Sequence, residues 1–313
     1  MTTIAYLGPP GTFAEEALLS QTDLADCELV SMVSMPEVLR AVDAGEVDVG
    51  FVAMENAIEG TVNVVLDALV FERQLYIQRE VVLPIRMHLL GPSGLALSDV
   101  RRVVSFPVAL AQCRRFFSRE LPGVEEVAAN STAAAVQIVG SGASADVPAG
   151  TAALGTALAA KLYGLEVLAE DVEDHDDNAT RFVLVTRPSV GIPPPTGHDR
   201  TSIVCFQHAD RPGSLHAILG QFSARNLNLT KLESRPTKRG LGEYCFIIDI
   251  AGHVDDEVVA DCLRDLHAQL SDLKFLGSYP AWGEHGEALR RDAEASWRAA
   301  DEWISSVRQG VRR

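Results

Sequence analysis

The sequence predicts an α/β protein with a two-lobed region of alternating strands and helices, a linker, and a smaller ferredoxin-like βαββαβ unit. Three observations predict it. From residue 3 to 185 short apolar runs alternate with helical patterns, which is how a parallel-rich sheet system reads. That rhythm pauses near residue 80 and closes near 188, dividing the first region into two lobes with a cleft between them. After the Pro- and Gly-rich stretch Pro188-Ser189-Val190-Gly191-Ile192-Pro193-Pro194-Pro195-Thr196-Gly197, a linker on composition, the order of elements changes to βαββαβ.

Length and charge narrow the function. A chain of 313 residues suits two or three folding units, and 47% hydrophobic with 22% charged residues is a globular composition. No run of 18 apolar residues occurs and no basic segment precedes the first strand, so the expectation is a cytoplasmic protein without membrane contact. Five scattered cysteines, never in a C-x-x-C pair, argue against a disulfide frame and a zinc site. The histidines show no metal-ligand spacing, so neither metal nor cofactor is expected. With 27 basic against 43 acidic residues the net charge is −16, which argues against nucleic acid and against anionic membranes. An anionic small ligand would need a locally positive site.

Taken in order, a strand over 3–7 runs into Gly8-Pro9-Pro10-Gly11-Thr12-Phe13 and a helix, so that backbone amides at the helix start could hold an anion. The glycine spacing is neither a dinucleotide fingerprint nor a P-loop. Ser34-Met35-Pro36-Glu37 is a capping box opening a helix to 44, ended by Gly45. A buried strand over 47–53 delivers Glu55, Asn56 and Gly60 to its C-terminal end, where open α/β sheets bind ligands. A helix over 62–73 and one strand over 75–90 follow. The second lobe repeats the alternation, with strands at 102–105, 124–128, 149–154 and 166–169 and helices at 109–119 and 156–163. Ser131 or Thr132 caps another helix between them.

The stretch Asn178-Ala179-Thr180-Arg181-Phe182 sets an amide, a hydroxyl, a guanidinium and a ring at the mouth of the apolar strand that runs on through Val185. Beyond the linker come strands at 202–207, 227–234, 244–250 and 274–279 with helices at 212–225 and 256–267. Residues 287–307 carry Leu289, Ala293, Trp297, Ala300 and Ile304 at helical spacing, an amphipathic helix. The expected domains are 1–188 (lobes 1–78 with 176–188, and 79–175), linker 189–200, a regulatory unit at 201–282 and a terminal helix within 283–313.

Gly8-Pro-Pro-Gly-Thr-Phe13, Glu55-Asn56, Ser131-Thr132-Ala133 and Asn178-x-Thr180-Arg181-Phe182, followed by Gly213-Ser-Leu215 and Glu233-Ser-Arg-Pro236, resemble the prephenate dehydratases over residues 3–282. The T-R-F and E-S-R-P elements in this order are specific. The resemblance implies a two-lobed catalytic region similar to periplasmic binding proteins and a C-terminal ACT domain that binds phenylalanine. It implies that prephenate loses water and carbon dioxide to give phenylpyruvate, under feedback by phenylalanine, in a homodimer or homotetramer. Carried over by motif, Thr180 is the essential threonine, and Thr12, Asn56, Ser105, Gln112, Ser131, Thr132, Arg181 and Phe182 form the substrate site. Gly213, Ser214 and Leu215 with Glu233, Ser234, Arg235 and Pro236 form the phenylalanine site. Where many members read S-H-P-Q, this chain has Ser105-Phe106-Pro107-Val108, so neither Phe106 nor Val108 has a titratable group or a side-chain hydrogen bond to offer. Gly213-Ser214-Leu215-His216 likewise departs from the common G-A-L-V.

Read from residue types, Thr180 is a positioned donor, because a hydroxyl aimed at the leaving group lowers the barrier but is too weak an acid to act alone. Helix starts at Thr12 and Ser131, with Arg181, offer donors for carboxylates in an acidic protein. Arg181 either holds the pyruvyl carboxylate or braces the site. Two other readings stay open: arogenate as substrate, with Glu55 receiving its amino group, and a non-catalytic receptor fused to an amino-acid sensor.

Overall fold

The computed structural model describes residues 1–141, 147–208, 211–238, 240, 242–282, 299–300 and 302–309. The chain divides into two compact units, Met1–Arg73 with Val81–Val185, and Gln74–Glu80 with Thr186–Arg313.

The first unit opens with β1 (Thr3–Leu7), α1 (Phe13–Leu19), α2 (Thr22–Ala25), β2 (Glu28–Met32), α3 (Met35–Ala44), β3 (Val49–Asn56), β4 (Gly60–Thr61) and α4 (Asn63–Asp67). Local chemistry sets these boundaries. Ser34 caps α3 by accepting from the Glu37 amide at 3.3 Å, and Gly45 ends it at φ 75°, as the capping box predicts. α4 runs on into a wider π turn over Ala68–Glu72. β2 has no counterpart among the expected strands, because it is partly exposed and lacks a long apolar run.

The strand expected over 75–90 is two, β5 (Tyr76–Pro84) and β6 (His88–Gly91), which lie in different sheets. Pro84 has no amide for the ladder, and the next amide, Ile85, donates to the Asn178 carbonyl at 2.8 Å. The chain passes between the sheets there, several residues later than the sequence suggests. Next come β7 (Arg102–Ser105), α5 (Pro107–Ala111), α6 (Arg114–Glu120), β8 (Glu125–Ala128), α7 (Thr132–Gly140), β9 (Thr151–Gly155), α8 (Ala157–Tyr163), β10 (Glu166–Ala169) and β11 (Ala179–Thr186).

One sheet has the order β2-β1-β3-β11-β5 with β4 on β3, and the other β10-β6-β9-β7-β8. β1 is parallel to β2 and β3, and β7 to β8 and β9, while β11 runs antiparallel to β3. The cores of this unit include one around Ile4, Leu18, Phe51 and Phe182, one around Leu89, Val103, Phe117 and Leu154, and one around Leu90, Val136 and Ala153.

The second unit contains β12 (Asp199–Phe206), α9 (Ser214–Ala224), β13 (Leu229–Pro236), β14 (Tyr244–Ala251), α10 (Glu257–Gln269) and β15 (Asp272–Pro280), with sheet order β13-β14-β12-β15. This is the βαββαβ order the sequence predicts. Its core joins Ile203, Phe222, Ile248, Val259 and Leu266.

A polar network is buried in the same unit. Glu80, with no exposed side-chain surface, pairs with Arg200 at 3.1 Å and accepts from the Trp282 amide at 2.6 Å. Ser202 donates to Asp249 at 2.6 Å, so Tyr279, 2.7 Å away, must donate to Ser202. Thr201 gives its hydrogen to the Gly252 carbonyl, and Ser278 therefore gives its own to Thr201. The amphipathic helix expected over 287–307 falls partly outside the described residues; residues 299–300 and 302–309 are helical, with Trp303 exposed.

Candidate active site

The first unit holds a cavity of about 470 Å³, lined by strands of the first sheet and by loops and helix residues that flank strands of the second. Its walls are mostly apolar, with Phe13, Phe51, Ile85, Met87, Phe106 and Phe182 among them. Its polar groups come from Thr12, Asn56, Glu59, Gln112, Asn130, Ser131, Thr132, Asn178 and Thr180. Among the described lining residues Glu59 alone is ionisable, so any anion in this space relies on amide and hydroxyl dipoles.

Strand register explains what faces the cavity. Thr180 stands opposite Asn56 and Arg181 opposite Glu55 across the antiparallel β3–β11 pair. Thr180 and Phe182 line the cavity, whereas Arg181 turns to Glu55 at 3.0 Å and is absent from the lining. The donor expected from Arg181 is thus engaged by a cross-strand carboxylate. The same pairing takes Glu55 out of the cavity; the acid that lines it is Glu59.

Asn56 fixes the polarity of the polar wall. Its Oδ1 accepts from the amides of Ile58 at 2.9 Å and Glu59 at 3.0 Å, which leaves Nδ2 to donate to Thr180 Oγ1 and to Asn178 Oδ1, both at 2.9 Å. Asn178 Nδ2 then donates to Gln112 Oε1 at 3.1 Å, and Gln112 Nε2 to Glu59 Oε1 at 2.9 Å. Because Thr180 Oγ1 accepts from a group that can only donate, the Thr180 hydrogen is left to point at a ligand.

The two helix starts differ. At α1, Thr12 gives its hydroxyl to the Leu7 carbonyl and accepts from the Glu15 amide, while the Glu15 carboxylate takes the Gly11 amide. That helix start already holds an anion, so the donor expected there is occupied. At α7, Ser131 accepts from the Ala134 amide at 3.0 Å, and the amides of Thr132 and Ala133 are those a helix start leaves without intrahelical partners. Ser105 departs most from expectation. It is fully buried, is absent from the lining, and donates to the Leu154 carbonyl at 3.1 Å.

Phe106 and Val108 line the cavity as apolar groups, as the departure from S-H-P-Q implies. Sequence reading misses Glu59 and leaves Asn178 without a site role, although Asn178 heads the stretch carrying Thr180. The loop Pro9–Thr12 is tied down by Thr156 and Tyr163, which donate to the Gly11 and Pro10 carbonyls at 2.9 and 2.8 Å. Gly11, at φ 91°, lies so close to Ala159 that a Cβ there would sit 2.9 Å from its methyl group.

In the second unit, Gly213 starts α9 in the left-handed region at φ 88°. Ser214 lines a separate cavity of about 430 Å³ with Gln207, His208, Arg211 and Gln269. Leu215 packs on the core of this unit. Glu233, Ser234, Arg235 and Pro236 lie on β13, an edge strand, and do not line that cavity.

Comparison with known proteins agrees with this architecture. The prephenate dehydratase family model matches residues 4–190 and the ACT domain model residues 201–268. The prephenate dehydratase of Mycolicibacterium vanbaalenii is 42% identical over 315 residues, covering 95% of this chain and 97% of that protein. Among solved structures, prephenate dehydratase from Arthrobacter aurescens in complex with L-Phe is 39% identical with a TM-score of 0.86, covering 99% of this chain and 100% of that one. A further neighbour, described as GqqA, a novel type of quorum quenching acylase, is 30% identical with a TM-score of 0.79, covering 89% of this chain and 98% of that one.

Proposed function

The chain belongs to the prephenate dehydratase family and carries an ACT domain, and from that premise we propose that its cavity binds prephenate with the Thr180 hydroxyl directed at the ring hydroxyl. The reaction gives phenylpyruvate, carbon dioxide and water. The bond between ring and carboxylate breaks, its electron pair enters the ring, and the ring C–O bond breaks with its pair leaving on oxygen, which takes up a proton that solvent ultimately supplies. Aromatisation drives the step, so the protein has mainly to orient the substrate and stabilise the departing oxygen.

The observation that carries this reading is the 2.9 Å hydrogen bond from Asn56 to Thr180 Oγ1. A hydroxyl that accepts from an amide is polarised toward donation. The pyruvyl carboxylate fits the start of α7, where Ser131 and the amides of Thr132 and Ala133 offer donors. The ring carboxylate fits the apolar walls, where loss of hydration raises its energy and that cost is relieved as the charge disperses on loss of carbon dioxide. Arg181 braces β11 against β3 through Glu55. Arogenate is the weaker candidate, because Glu59, the one carboxylate among the described lining residues, already accepts from Gln112.

An acyl-transfer reading lacks a base beside its nucleophile. Among the described lining residues no histidine accompanies the hydroxyls, and Cys113, next to Gln112, is buried, which with Asp174 and Glu173 nearby pushes its thiol up.

Regulation by phenylalanine rests on the ACT domain and on the L-Phe-bound relative. Resemblance to the family implies an effector site at an interface between paired ACT domains, and on that ground we infer that two copies of the chain complete each site, with Gly213–Leu215 and Glu233–Pro236 contributing to it. That makes the enzyme a homodimer or a pair of dimers. Five free thiols fit a cytosolic enzyme. The test is phenylpyruvate formation by the purified chain from prephenate and from arogenate, with and without phenylalanine. Turnover of prephenate that falls with phenylalanine is expected. A folded chain that turns over arogenate alone, or neither, overturns the reading.

A further inference from the structure

The hydrogen bonds of the cavity wall form a closed ring. Asn56 donates to Asn178, Asn178 to Gln112, Gln112 to the Glu59 carboxylate, and the Glu59 backbone amide donates back to Asn56 Oδ1. Every donor points the same way round. Glu59 sits in the turn between β3 and β4, and Gln112 at the end of α5, so the ring also joins the parts of the unit built on its two sheets. Only one ring member, a carboxylate, has no side-chain hydrogen of its own to give, and it fixes which end of the Gln112 amide faces it.

We propose that Glu59 is a positioning residue for the dehydration, acting through Gln112 and Asn178 on Asn56 and so on the Thr180 hydroxyl. With the carboxylate in place, Gln112 must present Nε2 to Glu59 and Oε1 to Asn178. Asn178 then presents Oδ1 to Asn56, in the same sense that the Ile58 and Glu59 backbone amides set at Asn56, so the carboxylate and the backbone hold the wall from its two ends. Remove the acceptor and Gln112 loses the contact that holds its Nε2, so Asn178, gripped by Asn56 at one end, has a loosened partner at the other, and the wall that carries the Thr180 hydrogen bond loosens with it. The role needs an acceptor at residue 59, not a charge.

This inference rests on the dehydratase reading, and the experiment separates the two. Steady-state constants with prephenate are measured for the wild type, Glu59→Gln, Glu59→Leu, Thr180→Val and the double variant Glu59→Leu/Thr180→Val, with thermal unfolding of each. Glu59→Gln, whose amide oxygen can still accept from Gln112, is expected to keep near wild-type kcat. Glu59→Leu is expected to lose on the order of 10- to 100-fold in kcat with KM little changed, the effect of a misaimed group. In the Thr180→Val background the same change is expected to cost nothing more. Should Glu59→Leu unfold, Gln112→Leu breaks the same link from the other side.

Glu59→Gln falling as far as Glu59→Leu would overturn the proposal in favour of a charge effect. Wild-type kinetics in Glu59→Leu, or an equal loss with and without Thr180, would overturn it too. If the wild type itself forms no phenylpyruvate, the dehydratase reading fails first.

Discussion

The polar wall of the cavity and the polar network around Glu80 and Ser202 are both built from amides, hydroxyls and carboxylates largely removed from water, yet they end differently. Around Ser202 every hydroxyl hydrogen has an acceptor within the protein: Tyr279 gives to Ser202, Ser202 to Asp249, Ser278 to Thr201 and Thr201 to Gly252. In the cavity the ring closes on itself and leaves the Thr180 hydroxyl hydrogen without a place in it. A network that commits all its hydrogens can only hold structure. One that holds a donor still and leaves it unmatched has a group ready for a substrate.

Substitutions can break or sharpen this contrast. Glu80→Ala leaves the partly buried Arg200 without its closest carboxylate and is expected to cost about 3 kcal/mol of stability, read as a large fall in Tm. Ser202→Ala removes a donor to Asp249 and an acceptor for Tyr279, with an expected cost of about 1–3 kcal/mol in denaturant unfolding. Ser105→Ala, next to the cavity in sequence but not in its lining, is expected to cost about 1 kcal/mol and to leave kcat and KM for prephenate unchanged. A changed KM there would return Ser105 to the substrate site.

Much of the fold was legible because its elements carry strong local signals. The α3 capping box, the βαββαβ order and the apolar core of β11 read directly from residue type and spacing. What was not legible depends on pairing across the sheet. β2 is a half-exposed edge strand with little apolar signal, and the split into β5 and β6 turns on a single proline. The site divides the same way. Thr180, Asn56 and Gln112 could be found from motif, but whether Arg181 faces a ligand depends on Glu55 standing opposite it in register. Ser105 was assigned to the cleft by the same kind of motif match, yet its hydroxyl is turned to Leu154. Glu59 carried no signal beyond its distance from Asn56, since its role arises only when Gln112 is brought to it from the other sheet.

The most direct test of the unmatched hydrogen at Thr180 is kcat for phenylpyruvate formation from prephenate by Thr180→Val, a near-isosteric change that keeps the shape and deletes the donor. A loss on the order of 100- to 1000-fold with KM little changed and a Tm close to the wild type is the predicted result. Wild-type kcat in a folded Thr180→Val enzyme would contradict the account.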